Sequence, residues 1–377
     1  MKCVLKAGAV GIVAVVASSG AAVSAEDVTL PETMIWSAHQ LGSSSHAEAS
    51  AVANALSGKF GARVRIMPAG TSIGRLLPVK VGRASYGFLG TEAHFASEAM
   101  YDFAEPDWGP QDLRVLLAKP TDTTIVVGGD TDIMEPSGLK GQRMGWVAGD
   151  PSVNAKVEAL LAFGGLTWDD VQKVEIGSFG AQKDSMAAGQ IDAFLLNPTS
   201  GFAREVAVQA RGMRWLSFPV ENEEGWRRLM KVAGYAQPAI ATKGVNVSEE
   251  NPLPVMQYRY PVWATYAAQP EEEVYNVVKA AHLAFEDYRQ AIATSDLWAI
   301  DVAGRPVVDA PFHDGAIRLF REAGSWRAED QAWQDQRLAR AEAVQAAWKT
   351  ATEAYDGMSG DKPEWQAYWA QYRAEHL

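Results

Sequence analysis

The chain is nearly without cysteine. Its single thiol, Cys3, stands close to the N-terminus of 377 residues. Beyond it, disulfides, thiolate metal sites and cysteine nucleophiles are excluded. Stability has to come from core packing, which a chain of this length can supply over two domains of ordinary size. Positive charge is also scarce: Lys and Arg number 34 against 46 Asp and Glu, a net charge of −12. That balance argues against nucleic acid and anionic lipid as partners. It still allows an anionic small ligand in a locally basic pocket. Past the N-terminal stretch there is no apolar run of about 18 residues or more, so no later segment reads as a membrane span. Reactive motifs are missing too: no nucleophile elbow, no His-Glu-x-x-His, no phosphate-binding loop. The histidines, His39, His46, His94, His282, His313 and His376, show no metal-ligand spacing. No catalytic residue, metal or cofactor is therefore expected.

What is present begins with an export signal. Lys2 and Lys6 give a charged start, residues 7–16 a short apolar core, and Val23-Ser24-Ala25 a small-x-small cleavage site before Glu26-Asp27. The apolar run is too short to span a bilayer, and Cys3 lies at the wrong end for a lipoprotein. Residues 1–25 are therefore expected to be a cleavable secretory signal peptide. Losing Lys2 and Lys6 makes the protein more acidic still.

After that, strand-like runs alternate with helical ones. This βαβα rhythm implies an α/β fold with a parallel sheet covered by helices. Strands at 34–36, 63–67, 86–89 and 113–117 alternate with helices at 46–56 and 73–81, the latter bent at Pro78. A second set follows Pro120, with strands at 124–127, 143–147, 174–177, 193–196 and 213–218. Its helix at 154–163 is stopped by Gly164-Gly165, and Thr167-Trp168-Asp169-Asp170 reads as a helix cap. From Tyr235 the pattern changes again. Strands at 239–241 and 262–266 precede a helix at 271–289, where Val274, Val277, Val278, Ala281 and Phe285 share one face. Such a return places lobe I at 26–120 plus 236–324, lobe II at 121–235, and a helical extension at 325–377. The extension carries Trp326, Trp333, Trp348, Trp365 and Trp369. These either pack on the body or form a surface for a dimer or a membrane partner, so monomer and dimer both stay open.

Four polar loops each follow a strand and open a helix, where unpaired backbone N–H groups point outward. The first, 37–46, offers Ser37, His39, Gln40, Ser43, Ser44, Ser45 and His46. The second, 68–75, offers Gly70, Thr71, Ser72 and Arg75. Arg75 would emerge in the first helical turn, either as a bidentate partner for a carboxylate or sulfonate or as a solvated surface cation. In the third, 148–154, Asp150 at the N-cap and Pro151 at N1 make a complete helix start, followed by Ser152. Asp150 would repel an anion there. It is read as a cap, or else as a holder of a ligand amine or hydroxyl. The fourth, 197–201, contributes Asn197. Loops at the carboxyl ends of parallel strands, divided between two domains, outline an interlobe binding cleft.

Several segments carry a family resemblance. Pro311-Phe312-His313-Asp314-Gly315-Ala316 leads on to Arg321-Glu322-Ala323-Gly324. Gly189-Gln190-Ile191-Asp192-Ala193, Leu139-Lys140-Gly141-Gln142-Arg143 and Gly165-Leu166-Thr167-Trp168-Asp169-Asp170 stand before it. Together they resemble the TAXI subfamily of solute receptors from TRAP transporters. The resemblance implies a two-lobe periplasmic binding protein fold (type II-like) with an interlobe cleft. It implies a periplasmic receptor that captures a small organic solute, a carboxylate, amino acid or related anion, and delivers it to a TRAP membrane permease. Glutamate and 2-oxoglutarate are ligands of that family. His313 then reads as a structural brace rather than a reactive group. The ligand loops depart from the family pattern: Ser45 and His46 replace two tyrosines, Arg75 replaces an asparagine, and Asp150 and Pro151 break a Gly-Ser-Gly-Thr. A ligand other than plain glutamate is expected, with Arg75 as its anion partner. An exported sensor feeding a signalling partner and an exported enzyme are the competing readings.

Overall fold

The computed structural model describes residues 28–306, 310–359 and 361–377. The expected signal peptide lies outside the described residues. The chain opens with β1 (Thr33–His39), α1 (Ser44–Phe60), β2 (Arg63–Ala69), α2 (Ser72–Lys80), β3 (Tyr86–Leu89) and α3 (Glu92–Ser97). A second set comprises β4 (Leu113–Gly128), β5 (Arg143–Val147), α4 (Pro151–Phe163), β6 (Gln172–Ile176), α5 (Ala181–Ala187), β7 (Ala193–Leu196), α6 (Gly201–Ala207), β8 (Met213–Trp215) and α7 (Glu223–Val232). The return consists of β9 (Gln237–Ala241), β10 (Leu253–Tyr266), α8 (Glu271–Leu283), α9 (Phe285–Tyr288), α10 (Ile300–Ala303) and α11 (Asp314–Glu322). The extension is α12 (Ala328–Asp356) and α13 (Trp365–His376).

The fold is mixed α/β around a continuous sheet. Its strands run in the order β2-β1-β3-β10-β4-β7-β5-β6, with β8 beside β4 and β9 beside β10. At either end the pairing is parallel, as the βαβ rhythm predicts: β1 lies between β2 and β3, and β5 between β6 and β7. The middle differs, because β10 runs antiparallel to both β3 and β4.

Pro120 does not end a strand. The predicted strands at 113–117 and 124–127 are one ribbon of 16 residues, β4. A proline removes a ladder donor and normally interrupts a central strand. Here Pro120 lies opposite Arg259, where the register between β4 and β10 already slips between Arg259 and Val262. The missing N–H therefore falls where the ladder is irregular. Two long strands thus pass without a break from one hydrophobic core to the other.

In the first core Trp36, Phe88 and Trp263 pack ring to ring with centroids 4.9 to 5.4 Å apart. Val274, Val277 and Val278 of α8 and Leu319 and Phe320 of α11 close over it. The second core gathers Ile125, Val126 and Val127 of β4 with Leu160, Leu161, Phe163, Phe194 and Phe218. Met256 of β10 belongs to the second core and Val262 to the first, so β10 crosses between them just as β4 does.

His313 holds the return in place. Its Nδ1 accepts the Gly315 N–H at 3.2 Å, capping α11, and its Nε2 lies 3.0 Å from the Gln269 carbonyl. Its own N–H donates to the Val115 carbonyl at 2.9 Å. Burial pushes its pKa down, which keeps the ring neutral with the proton on Nε2.

The extension packs on the body through its tryptophans. Trp369 donates its indole N–H to the Ala99 carbonyl and Trp365 to that of Ala104, both at 2.7 Å. Glu98 forms the polar part of the contact, with Arg340 at 2.7 Å, Arg373 at 2.6 Å and Arg337 at 3.7 Å. Burial would raise the Glu98 carboxyl, but the hydrogen-bonded guanidinium groups of Arg340 and Arg373 outweigh it and hold the pKa at about 2. Glu98→Ala removes the carboxylate that three guanidinium groups share, and breaking such a partly buried cluster costs about 3 kcal/mol. The expected outcome is faster trypsin cleavage at Arg337 and Arg340. An unchanged cleavage rate would mean that this cluster does not hold the extension.

Candidate ligand-binding cleft

Each polar loop starts a helix through a side-chain cap, as its composition predicts. Ser43 Oγ accepts the His46 N–H at 3.2 Å, and Thr71 Oγ1 accepts that of Gly74 at 3.1 Å. Asp150 Oδ1 accepts from Val153 at 3.1 Å, and Ser200 Oγ from Phe202 at 3.3 Å. Residues of all four helix starts line the space between the two cores: Ser43 and Ser44, Arg75, Ser152 and Val153, and Ser200.

That space is nearly shut. Phe179 N–H donates to the Gly70 carbonyl at 3.0 Å and Ile73 N–H to that of Gly149 at 3.3 Å. Asn197 Nδ2 donates to Ser44 Oγ at 3.3 Å, and Lys156 Nζ to Thr91 Oγ1 at 2.9 Å. Gly42, with φ +92°, faces the Phe202 ring so closely that a Cβ would collide with it. Both its backbone and its surroundings demand glycine. What remains is a cavity of about 20 Å³, room for about one water molecule. His39, Ser43, Ser44 and Arg75 line it from one side, and Ser152, Val153, Lys156, Phe179, Leu195, Asn197 and Ser200 from the other. Tyr258 and Tyr260 of the crossing strand β10 complete it.

The cavity wall is cationic. Arg75 is only 1% exposed. Its Nη2 donates to Glu92 Oε2 at 2.9 Å, and its Nε lies 2.7 Å from Oε1 without the alignment of a hydrogen bond, an ion pair with a buried carboxylate. Burial opposes the charge, but Glu92 beside it holds the guanidinium protonated, above its ordinary range. Its Nη1 is buried and has no hydrogen-bond partner among the described residues. Lys156 donates to Ser152 Oγ at 3.0 Å as well as to Thr91, and its ammonium sits 4.7 Å from the centre of the Tyr258 ring.

His39 faces Asp150 across the seam. The Gln40 N–H donates to His39 Nδ1 at 3.0 Å, which puts the proton of the neutral ring on Nε2. That nitrogen is 3.9 Å from Asp150 Oδ2, too far for a hydrogen bond, and Oδ2 is buried with no hydrogen-bond partner among the described residues. Burial, and then the Arg75 charge, push His39 down to about 4 in spite of Asp150. For Asp150, burial acts upward, but His39 and Arg75 outweigh it and its carboxyl stays below its ordinary value.

Of the residues expected from the sequence, His39, Ser43, Ser44, Arg75, Ser152 and Asn197 line the cavity. The others hold its frame. Ser37 Oγ donates to the Arg75 carbonyl at 2.7 Å, and Ser45 Oγ to that of Phe88 at 3.0 Å. Gln40 packs against Gly180. Gly70 and Ser72 bond across the seam, Thr71 is used as a cap, and His46 contacts Ser50 on α1 at 3.3 Å. Asp150 caps α4 and stands behind His39. Arg75 is not the solvated surface cation of the alternative reading: it is buried, and Glu92 already pairs with it. Lys156, Phe179, Tyr258 and Tyr260 were not anticipated, and Ser200 lay in the fourth loop without being singled out. Ser152 and Lys156 are four apart on one helix face, and Tyr258 and Tyr260 are two apart on one strand face. Both spacings were available once the strand was extended back from 262. Among the described residues no three His, Cys, Asp or Glu are grouped to hold a metal, and no helix is long and apolar enough to cross a membrane.

Comparison with known proteins agrees on the architecture. A solved structure described as a periplasmic transporter is 13% identical, with 80% of this chain and 95% of that chain covered and a TM-score of 0.52. The alkanesulfonate-binding protein SsuA from Xanthomonas axonopodis pv. citri, bound to MOPS, is 16% identical, with 83% of this chain and 98% of that chain covered and a TM-score of 0.48. The substrate-binding protein of an amino acid ABC transporter is 14% identical, with 71% and 98% covered and a TM-score of 0.42. The chain thus shares the two-lobe fold of periplasmic binding proteins. The NMT1-like family matches residues 65–324, more than half of the chain, and the protein belongs to that family.

Proposed function

We propose that this protein is an extracytoplasmic solute receptor that closes two lobes on a small organic anion. The observation that carries this reading is Arg75 Nη1, a buried cationic donor in the cavity wall that has no hydrogen-bond partner among the described residues. Leaving such a donor unsatisfied is costly, and a carboxylate or sulfonate oxygen would satisfy it. Lys156 adds a second cation, and the hydroxyls of Ser43, Ser44, Ser152 and Ser200 supply neutral contacts. Lobe I is taken as 26–120 plus 236–324, lobe II as 121–235, with 325–377 an extension of lobe I. The packing of Met256 with the second core favours drawing the return crossing nearer to Arg259. A cavity holding about one water implies that solute enters an open form and that closure follows, with β4 and β10 as the hinge.

Delivery to a TRAP-type permease is the finer part of the reading. It rests on the segments at 139–143, 165–170, 189–193 and 311–324. A thermal-shift screen of carboxylates, sulfonates and amino acids tests the receptor reading. A solute at about 100 times its dissociation constant stabilises the fold by about 2.7 kcal/mol. Absence of any shift across all three classes would sink it. Uptake of the hit into vesicles carrying a candidate permease tests delivery. An ion gradient should drive uptake without ATP, and a requirement for ATP would refute the TRAP assignment.

A further inference from the structure

Tyr258 lines two cavities. One is the cleft. The other, of about 460 Å³, lies against the hinge strands and is lined by Met230, Tyr235, Gln257, Arg259 and Trp333 among others. The cleft cavity holds about one water, whereas the hinge cavity is within the usual size range of pockets for small organic molecules, about 300 to 1,000 Å³. Its amide and guanidinium groups already have protein partners. Gln257 Nε2 donates to Asp122 at 2.8 Å, and its Oε1 accepts from Gln237 at 2.7 Å. Arg259 Nη1 donates to the Ala118 and Val302 carbonyls, both at 3.0 Å. The rings of Tyr235, Tyr258 and Trp333 and the Met230 thioether share the rest of the wall with Pro120, Gly234, Ala236 and Pro306, so an aromatic body would find ring faces beside polar groups.

We propose, on the reading of the cleft as an anion site, that the solute is a two-part molecule. Its anionic head is held at Arg75, and its apolar or aromatic body lies in the hinge cavity, with the Tyr258 ring turning aside to join the two spaces. The buried Tyr258 ring stacks on Tyr260 at 5.7 Å and lies 4.7 Å from the Lys156 ammonium, so its displacement breaks both contacts. Tyr235 packs against both hydrophobic cores, and Trp333 packs against the first. A body seated between these rings touches both lobes, so it also strengthens closure.

The test is titration of the full chain with acetate, butyrate, hexanoate and 4-phenylbutyrate. Affinity is expected to rise at least about tenfold from butyrate to 4-phenylbutyrate, the gain of burying a phenyl ring. Met230→Trp, which fills the hinge cavity from its rim, should abolish that gain and leave butyrate unchanged. As a second readout, 4-(4-nitrophenyl)butyrate should quench the wild-type tryptophan emission more than that of Trp333→Phe. Equal affinity for short and long acids would overturn the two-part solute and leave the cleft reading intact. No binding by any acid would overturn both. A gain for the long acid that survives Met230→Trp, with equal quenching in Trp333→Phe, would place the body elsewhere and overturn the proposal.

Discussion

Arg75→Met is expected to abolish anion binding and to cost the fold about 3 to 5 kcal/mol, because it leaves Glu92 as an uncompensated buried charge. Both residues are essentially inaccessible, at 1% and 0% exposure. Neither can recover hydration without lobe opening or local unfolding. The two effects are separable. Replacing the whole pair, Arg75→Met with Glu92→Met, removes both buried charges together, a change that is often neutral or stabilising. The double variant should therefore regain most of the urea midpoint while its solute affinity stays lost. If Arg75→Met binds the solute as well as the parent does, Arg75 is a structural ion-pair member and nothing more. If the double variant recovers binding along with stability, the single variant's loss was a folding defect. The contrast matters because Arg75 has two duties: Nε and Nη2 face Glu92, while Nη1 faces the cavity.

Those two duties also show where the chain was legible from its residues alone. Local signals carried well. Ser43, Thr71, Asp150 and Ser200 cap helices because a short polar side chain meets the N–H groups two or three residues on, which depends on neighbours in sequence only. The strand at 86–89 was anticipated with its bounds intact. Long-range pairing was not legible. Glu92 lies 17 residues from Arg75 on α3, a helix of six residues with no strong periodic signal. Pro120 misled for the same reason in reverse. A local rule stops a strand at proline, yet the pairing with β10 more than a hundred residues later tolerates it at the irregular step. The five tryptophans after residue 324 had a near-helical spacing, but the groups that receive two of them, the Ala99 carbonyl for Trp369 and the Ala104 carbonyl for Trp365, are set by the tertiary fold.

Acidification is expected to weaken solute binding, through His39. In an open form His39 meets solvent and titrates near its ordinary value of about 6.5; between closed lobes its pKa falls to about 4. Closure therefore releases a proton, and acid favours the open form. The closed state has its full advantage above about pH 6.5 and loses it progressively as pH falls toward 4. At pH 5 the linkage amounts to about 30-fold in affinity, or about 2 kcal/mol. The groups facing the ring set this sign together. Burial is the largest influence, Arg75 on α2 and Lys156 on α4 repel the imidazolium, and Asp150 at the start of α4 is the opposing attraction. The Gln40 N–H adds to the resistance, since a protonated Nδ1 could no longer accept it. Asp150 itself remains charged through this window, because its carboxyl is held below its ordinary range, so it contributes no titration of its own. Titrations at pH 7.5 and pH 5 on the parent and on His39→Gln settle the matter. The parent should lose affinity and His39→Gln should lose far less. Affinity that is flat or rises toward pH 5 in the parent would mean that the Asp150 attraction prevails and that the seam tightens on protonation.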